Sequence, residues 1–353
     1  MFHNVYQGKK VLVIGHTGFK GSWLCAWLNK LGAKVYGFSK DIPTSPSHFE
    51  ILDLKNMVTS FEGDIRDFNS LQKTLVEIKP DFLFHLAAMS TVKECIENPI
   101  EAFETNLMGT IKILKAIEEC PNILASVIIT SDKCYENYEW EFAYRETDRL
   151  GGVGPYSASK ACAELAFSSF YKTFLKDRRL ATARAGNVIG GGDWACDRIV
   201  PDLIRSWYSK KELVLRSPGA TRPWQHVLEP LSGYLLLGAS LTTSSHISGK
   251  AFNFGPDPGL SFSVLDLVEK AKKKLDFAMS ISPKECLEAS RLKLSSDRAL
   301  SELSWRPTLN FEETFNLTLD WYKSYCEKGI CHTLEQIEMY QNLGIEKGAI
   351  WAR

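Results

Sequence analysis

The stretch Val11-Leu12-Val13-Ile14-Gly15-His16-Thr17-Gly18-Phe19-Lys20-Gly21 decides the fold: a short apolar run ends in a turn with glycines three apart, and an amphipathic segment follows. β-Branched residues suit a buried strand, and glycines let the start of a helix approach an anion without a Cβ in the way. Strand, glycine turn and helix in that order make a phosphate-binding unit, whose backbone N–H groups and positive helix terminus face a pyrophosphate. Three glycines alone also describe a plain tight turn, and it is their place between a first strand and a helix that favours a dinucleotide. Trp23, Leu24, Trp27, Leu28 and Leu31 fall at helical spacing, one stripe to bury on a sheet, and Gly32 ends the helix.

Outward from this unit the alternation continues. Short apolar runs at 33–38, 58–62, 82–86, 126–130 and 180–184 are separated by longer amphipathic segments, which predicts a parallel, doubly wound α/β sheet. Beyond Gly186 the pattern turns irregular and rich in Gly, Pro and Trp, with helices expected at 200–208, 265–275 and 311–325. We therefore expect residues 1–186 to form a cofactor-binding domain. Residues 187–353 are mostly a smaller, mixed α/β substrate-binding cap, with some segments returning to the sheet.

The chain has 353 residues, 44% hydrophobic and 24% charged, with 42 basic against 42 acidic side chains. A neutral sum excludes a global attraction to nucleic acid or anionic lipid, so an anionic ligand needs a local site. No apolar run approaches the roughly 18 residues of a membrane span, and residues 1–10 lack the apolar core of a signal peptide, so a cytoplasmic protein is expected. The nine cysteines are an odd number without a C-x-x-C pair; Cys326, Cys331 and His332 lack a second pair to close a metal site, and no metal is expected.

About 20 positions after the glycine turn, where NAD and NADP are told apart, stands Ser39-Lys40-Asp41. An acid at Ser39 would specify NAD; Ser followed by Lys tolerates a 2′-phosphate, so these residues leave the choice open. Tyr156 and Lys160 lie four apart at the start of an expected helix, on one face, where the ammonium assists a phenol that is otherwise a poor base at neutral pH. Tyr6/Lys10 and Tyr36/Lys40 share this spacing and read as surface or strand residues. Only Tyr156/Lys160 follows the fifth strand and Thr130-Ser131-Asp132-Lys133.

The glycine spacing with this tyrosine and lysine resembles the extended short-chain dehydrogenase/reductase family, a Rossmann-type fold. Residues 15–24 (GHTGFKGSWL), 130–137 (TSDKCYEN), 151–160 (GGVGPYSASK), 183–198 (ARAGNVIGGGDWACDR) and 222–228 (RPWQHVL) are similar to its nucleotide-sugar dehydratases, specifically those taking CDP-glucose; the likeness runs over about 8–307. It implies NAD as cofactor, held by Gly15, His16, Thr17, Gly18, Phe19, Lys20, Gly21, Ser39, Asp64, Ile65, Leu86, Ala87, Ala88, Asn106, Thr130, Tyr156 and Lys160. It implies Ser131, Asp132, Lys133, Tyr156 and Lys160 as catalytic residues, and Ser90, Ser131, Asn187, Arg216, Arg222, Gln225 and Arg291 against the nucleotide sugar. His226, Trp194 and Trp224 are read as packing residues.

Asp132 and Lys133 carry the finer implication. An epimerase needs only Ser or Thr, Tyr and Lys, whereas a 4,6-dehydratase must also take a proton from C5 and protonate the leaving C6 hydroxyl. The better-known dehydratases have Asp-Glu here; this chain has Asp-Lys, and Lys133 serves as the C5 base only if neutral. If charged, Lys133 disfavours the oxidised cofactor, as does His16 if protonated, so weaker NAD retention is expected. Met89-Ser90-Thr91 and Leu287 depart from the family pattern where the sugar is lined. The alternatives are a 4,6-dehydratase or 4-epimerase of another nucleotide sugar, or an inactive nucleotide-sugar-binding protein. The resemblance also implies a homodimer or dimer of dimers, through helices beginning near Phe103 and Tyr156, and deoxysugar synthesis for surface polysaccharide such as O-antigen.

Overall fold

The computed structural model describes residues 1–259, 261–282 and 291–353; the expectation at Leu287 and the ninth cysteine, Cys286, lie outside the described residues. Strands β1 (Lys10–Ile14), β2 (Lys34–Ser39), β3 (Thr59–Glu62), β4 (Phe82–His85), β5 (Ala125–Ile129), β6 (Leu180–Ala185) and β7 (Ala251–Phe254) form one sheet in the order β7-β6-β5-β4-β1-β2-β3. Every pairing is parallel. Helices cover both faces, which is why the central strands read as unbroken apolar runs: β4 and β5 are buried at every residue. Chain order reverses between β1 and β4, so the loops leaving their carboxyl ends diverge and open a crevice there.

Helix α1 (Phe19–Lys30) is buried over Gly21–Leu28, and Gly32 follows it at φ +77°. α2 (Phe68–Ile78) and α3 (Gly109–Glu119) pack on each other, and α3 packs on α4 (Pro155–Phe174). In the second half, α5 (Ile199–Ser209) matches its sequence signal, whereas α6 (Leu228–Thr243) packs against β5 and β6 and carries none. α6 is buried around nearly its whole circumference, so it has no polar face to reveal a helical period. α6 packs on the sheet and β7 joins its edge although both lie beyond residue 187, and the 297–303 helix packs on both of them. The cap is mixed: Val188–Ile189 pairs in parallel with Gln225–His226, Leu213–Leu215 in parallel with Met279–Ile281, and Thr221–Arg222 antiparallel with Phe262–Ser263.

Of the carboxyl-terminal helices, α7 (Phe311–Lys328) packs on the Gln225–His226 strand and α8 (Thr333–Glu346) on α1. Trp27 meets Tyr340 and Trp351 edge-on, with ring centroids 5.6 and 5.8 Å apart. Buried Glu229 on α6 accepts from the Thr308 and Leu309 amides and from the Tyr340 hydroxyl, tying the same layer down. Tyr6 corrects a sequence expectation: it is a core residue, 1% exposed, whose hydroxyl donates to the Leu235 carbonyl at 2.6 Å. Among the described residues no cluster of His, Cys, Asp and Glu is arranged to hold a metal, and no helix is long and apolar enough to cross a membrane. Cys331 contacts the Thr333 hydroxyl and His332 the Ser324 hydroxyl instead.

Candidate active site

Gly15 leaves β1 at φ +90°, and a Cβ there would lie 2.6 Å from the Ala87 amide nitrogen. A Cβ on Gly21 would meet the Gly15 carbonyl oxygen at 2.0 Å. These absences let the turn fold onto the start of α1 and against the Leu86-Ala87-Ala88 loop. The N-cap residue of α1, Gly18, offers no side chain to the first-turn amides, and that turn holds no acid. Open amides at a positive helix end fit the pyrophosphate of a dinucleotide.

His16 lies differently from one branch of the expectation. Its ring is buried in a notch provided by Gly37, with Nδ1 2.8 Å from Ser39 Oγ and Nε2 2.9 Å from Ser60 Oγ. Burial lowers its pKa to about 4, so His16 is neutral at pH 7 and adds no positive charge to the loop. Ser39 also receives the Thr17 amide, and the Thr17 hydroxyl donates to the Asp41 carbonyl, so the end of β2 is bound to the glycine turn. Asp64 is forked to Arg66, with Nη2 2.7 Å from Oδ2; burial alone would push its carboxyl up, and the bonds to Arg66 hold it below its ordinary value. Ile65 packs under Gly109, where a Cβ would come within 2.5 Å of it.

Asn106 sits in one widened π-helical turn, Glu104–Met108, ahead of α3. Its carboxamide accepts from the Met89 amide and donates to the Met89 carbonyl, then donates to Ser159 Oγ at 3.0 Å. Ser159 in turn donates to the Tyr156 carbonyl. The loop after β4 and the first turn of α4 are therefore locked together through one amide.

The residues expected to react come together where β5 ends and α4 begins. Ser131 Oγ donates to Asp132 Oδ1 at 3.0 Å, accepts from the Lys133 amide at 3.2 Å, and is hydrogen-bonded to the Tyr156 phenol. Asp132 is 3% exposed, and its Oδ2 has no hydrogen-bond partner among the described residues. A side chain on Gly186 would strike both Pro223 and Asp132 Oδ2, so glycine is needed beside the carboxylate. Burial raises the Asp132 pKa despite the neighbouring Lys133 and Arg222 charges, which suits a carboxyl that gives up a proton. Burial pushes Tyr156 up to about 12, with the Ser131 bond opposing. Lys160 is lowered to about 8, by burial and then by the Lys20 charge; Lys20 is itself lowered to about 8, by burial and then by Arg198. Lys20 thus belongs to the charged cluster through its side chain as well as to the phosphate turn through its backbone.

The substrate-side residues divide. Ser90 Oγ accepts from Arg198 Nη2 at 3.1 Å, and Arg198 Nη1 is 2.9 Å from Asp193 Oδ2. The Asn187 side chain makes no hydrogen bond among the described residues, while its carbonyl accepts from the Gln225 amide. Arg222 is buried next to Asp132, with Nη1 donating to the Thr221 carbonyl. Gln225, in contrast, is 1% exposed and donates to the Phe254 carbonyl, so its side chain points into the protein; this departs from its expected contact with substrate. Arg216 pairs with Asp197 at 3.0 Å, and Arg291 lies on the 137–141 loop, its amide bonded to Glu139 and its guanidinium 3.8 Å from Glu141. His226 is buried against Trp23, a packing position. Asp193, Arg198 and Glu164 were not singled out from the sequence, since no spacing marks Arg198 as reaching Ser90 on the loop after β4 or Glu164 as reaching Arg184 on β6.

A parallel sheet in this order, a glycine turn at its switch point and a Ser-Tyr-Lys cluster define a nucleotide-sugar-modifying, Rossmann-type architecture. Residues 12–318 match the family model described as GDP-mannose 4,6 dehydratase, and the chain belongs to that family. It is 44% identical over 337 residues to the CDP-glucose 4,6-dehydratase of Salmonella typhimurium, covering 91% of this chain and 92% of that protein. Among solved structures, an epimerase from Methanothermobacter thermautotrophicus superposes with a TM-score of 0.81 at 23% identity, over 96% of each chain. The dTDP-glucose 4,6-dehydratase of Bacillus anthracis, in complex with NAD, gives 0.77 at 20% identity, over 93% of this chain and 100% of that one.

Proposed function

We propose that the protein is an NAD-dependent 4,6-dehydratase that converts CDP-glucose to CDP-4-keto-6-deoxyglucose. The observation that carries this reading is Asp132: a buried carboxyl with one oxygen lacking a hydrogen-bond partner among the described residues, bonded to Ser131 and beside Tyr156, is an acid that simple epimerisation does not require. The 44% identical relative that bears the CDP-glucose name supports the nucleotide and the sugar.

NAD, when bound along the glycine turn, supplies the acceptor for the C4 hydride and its return to C6. Tyr156 takes the proton from O4, Ser131 orients that hydroxyl, and the Lys160 ammonium stabilises the phenolate that a buried tyrosine otherwise resists forming. The C4 ketone acidifies C5–H; Lys133 takes that proton while Asp132 gives its own to the C6 oxygen as water leaves, and Lys133 returns the proton to C5 as the hydride reaches C6. Arg222, Asn187 and Ser90 line the substrate side, with Arg222 placed to offset diphosphate charge.

The experiment is incubation with CDP-, dTDP-, GDP- and UDP-glucose plus NAD, with products identified by mass spectrometry. Loss of water from CDP-glucose is expected; a 4-epimer without water loss would overturn the reading. The same reading places the protein in the cytoplasm, making a deoxysugar precursor of surface polysaccharide such as O-antigen. It also makes the protein a homodimer through the helices around 99–119 and 155–174, where Ile100, Met108 and Leu165 are exposed.

A further inference from the structure

Glu164 and Arg184 form an ion pair that is almost wholly buried, with side-chain exposures of 3% and 4%. Desolvating two charges costs about as much as their attraction returns, so such a pair is a poor stabiliser compared with apolar packing. Its place in the fold gives it a different significance. Glu164 Oε1 accepts from Thr130 Oγ1 at 2.5 Å and Arg184 Nε at 2.9 Å, and Oε2 accepts from Thr182 Oγ1 at 2.9 Å and Arg184 Nη2 at 2.7 Å. Arg184 Nη1 donates to the Tyr135 hydroxyl, which donates to Asn253 Oδ1 on β7.

The covalent neighbours of these groups are the reacting residues. Thr130 immediately precedes Ser131 and Asp132, and Tyr135 closes the short turn that carries Asp132 and Lys133. Glu164 stands one helical turn beyond Lys160 and two beyond Tyr156 on α4, so all three share a face. Ser131 and Asp132 come from a strand end, Tyr156 and Lys160 from a helix, and the two halves meet over this single forked pair. Burial alone would push the Glu164 carboxyl up, and Arg184 with the Arg184, Thr130 and Thr182 hydrogen bonds holds it below its ordinary value, so Glu164 is an anion near Lys160.

We propose that the Glu164–Arg184 pair is the positioning unit of the reacting set: it fixes the Tyr156–Lys160 helix against the Ser131–Asp132 turn and supplies the negative charge that keeps Lys160 an ammonium. The proposal rests on the assignment of Tyr156 and Lys160 as the reacting pair. The groups acting electrostatically on Lys160 are Lys20 from α1, Cys95 from the 92–97 helix, Cys134 from the turn after β5 and Glu164 on its own helix, and Lys160 in turn acts on His85 of β4. Burial and Lys20 lower the Lys160 pKa, whereas Cys95, Glu164 and Cys134 raise it.

The test is a ¹³C NMR titration of the Lys160 side chain in the resting protein, assigned by Lys160→Arg, alongside steady-state kinetics. In Glu164→Gln, Arg184 stays charged and unopposed, and the Lys160 midpoint should fall by about one unit or more from its native value. In Arg184→Lys the charge remains but the fork is lost: the midpoint should stay near native while kcat falls on the order of 100-fold with KM little changed, and Glu164→Asp should retain the midpoint. A native midpoint in Glu164→Gln, with only a lowered Tm, would overturn the charge role. Native kcat in Arg184→Lys would overturn the positioning role, and this variant decides if Glu164→Gln does not fold. The titration needs no substrate, so failure to dehydrate CDP-glucose would sink the functional reading and leave the charge role standing, judged by the Lys160 midpoint alone.

Discussion

At the scale of single residues, the Tyr156–Lys160 spacing is legible in the sequence, while Ser131 and Asp132 were expected from the family resemblance; the structure brings Ser131, Asp132 and Tyr156 together. What each of them feels was not legible. Asp132→Asn keeps the hydrogen bond to Ser131 and removes the proton, so in deuterated buffer the variant should still reduce NAD with CDP-glucose but release no dehydrated product; undiminished turnover would remove Asp132 from the mechanism. Lys20 was placed only as part of a phosphate turn, yet its ammonium depresses Lys160, and Arg198 depresses Lys20. Lys20→Met should raise the Lys160 midpoint above about 8 and tighten NAD binding, read by fluorescence titration at pH 7, where one cation fewer opposes the positive nicotinamide. Equal NAD affinity in variant and parent would show that the Lys20 charge does not reach the cofactor. The weak NAD retention expected from His16 loses that cause, since a ring bonded to Ser39 and Ser60 in a dry notch stays neutral.

Elements show where periodicity suffices and where it fails. The β1–turn–α1 unit was readable because strand, glycine turn and helix are contiguous in the chain, although Gly15 answers to Ala87 outside the unit and only Gly18 and Gly21 to the turn itself. Gly21→Ala would force a Cβ to 2.0 Å from the Gly15 carbonyl, and the loop must open to relieve it. NAD affinity should fall by on the order of tenfold or more while far-UV circular dichroism stays native; unchanged affinity would mean the pyrophosphate lies elsewhere. The turn around Asn106 could be recognised by family likeness but not by pattern, because a single π-helical turn interrupts the helix without changing its composition. Asn106→Ala leaves the half-buried Met89 amide without a partner and its carbonyl with the Cys95 thiol alone, and urea unfolding should show a loss of roughly 1 kcal/mol. Helix α6 was illegible for the opposite reason, being apolar on every side.

The whole molecule is held by contacts between its ends. His48, unremarked in the sequence, stacks on Trp23 of α1 at 5.2 Å, lies 5.9 Å from Trp321 of α7 and contacts the Thr333 hydroxyl of α8 at 2.7 Å. Burial lowers its pKa to about 3, below the ordinary 6.5. The unfolded chain therefore binds a proton there that the folded chain refuses, and its contribution to stability is present above pH 6.5 and lost as pH falls toward 3. Relative to the parent, His48→Gln should lose about 2 kcal/mol less on going from pH 7 to pH 5, by urea titration at each pH; parallel pH dependences would rule this out. The sequence by itself determined the alternation of strand and helix, the glycine turn and the Tyr156–Lys160 spacing, because local sterics and residue chemistry act over a few positions. Only the tertiary structure decided which charges answer one another across the chain: Arg216 goes to Asp197, Glu164 to Arg184, and the Lys20 charge acts on Lys160. The physical reason is that burial and distance, which scale every electrostatic interaction, are created when strands and helices far apart in the chain are brought together.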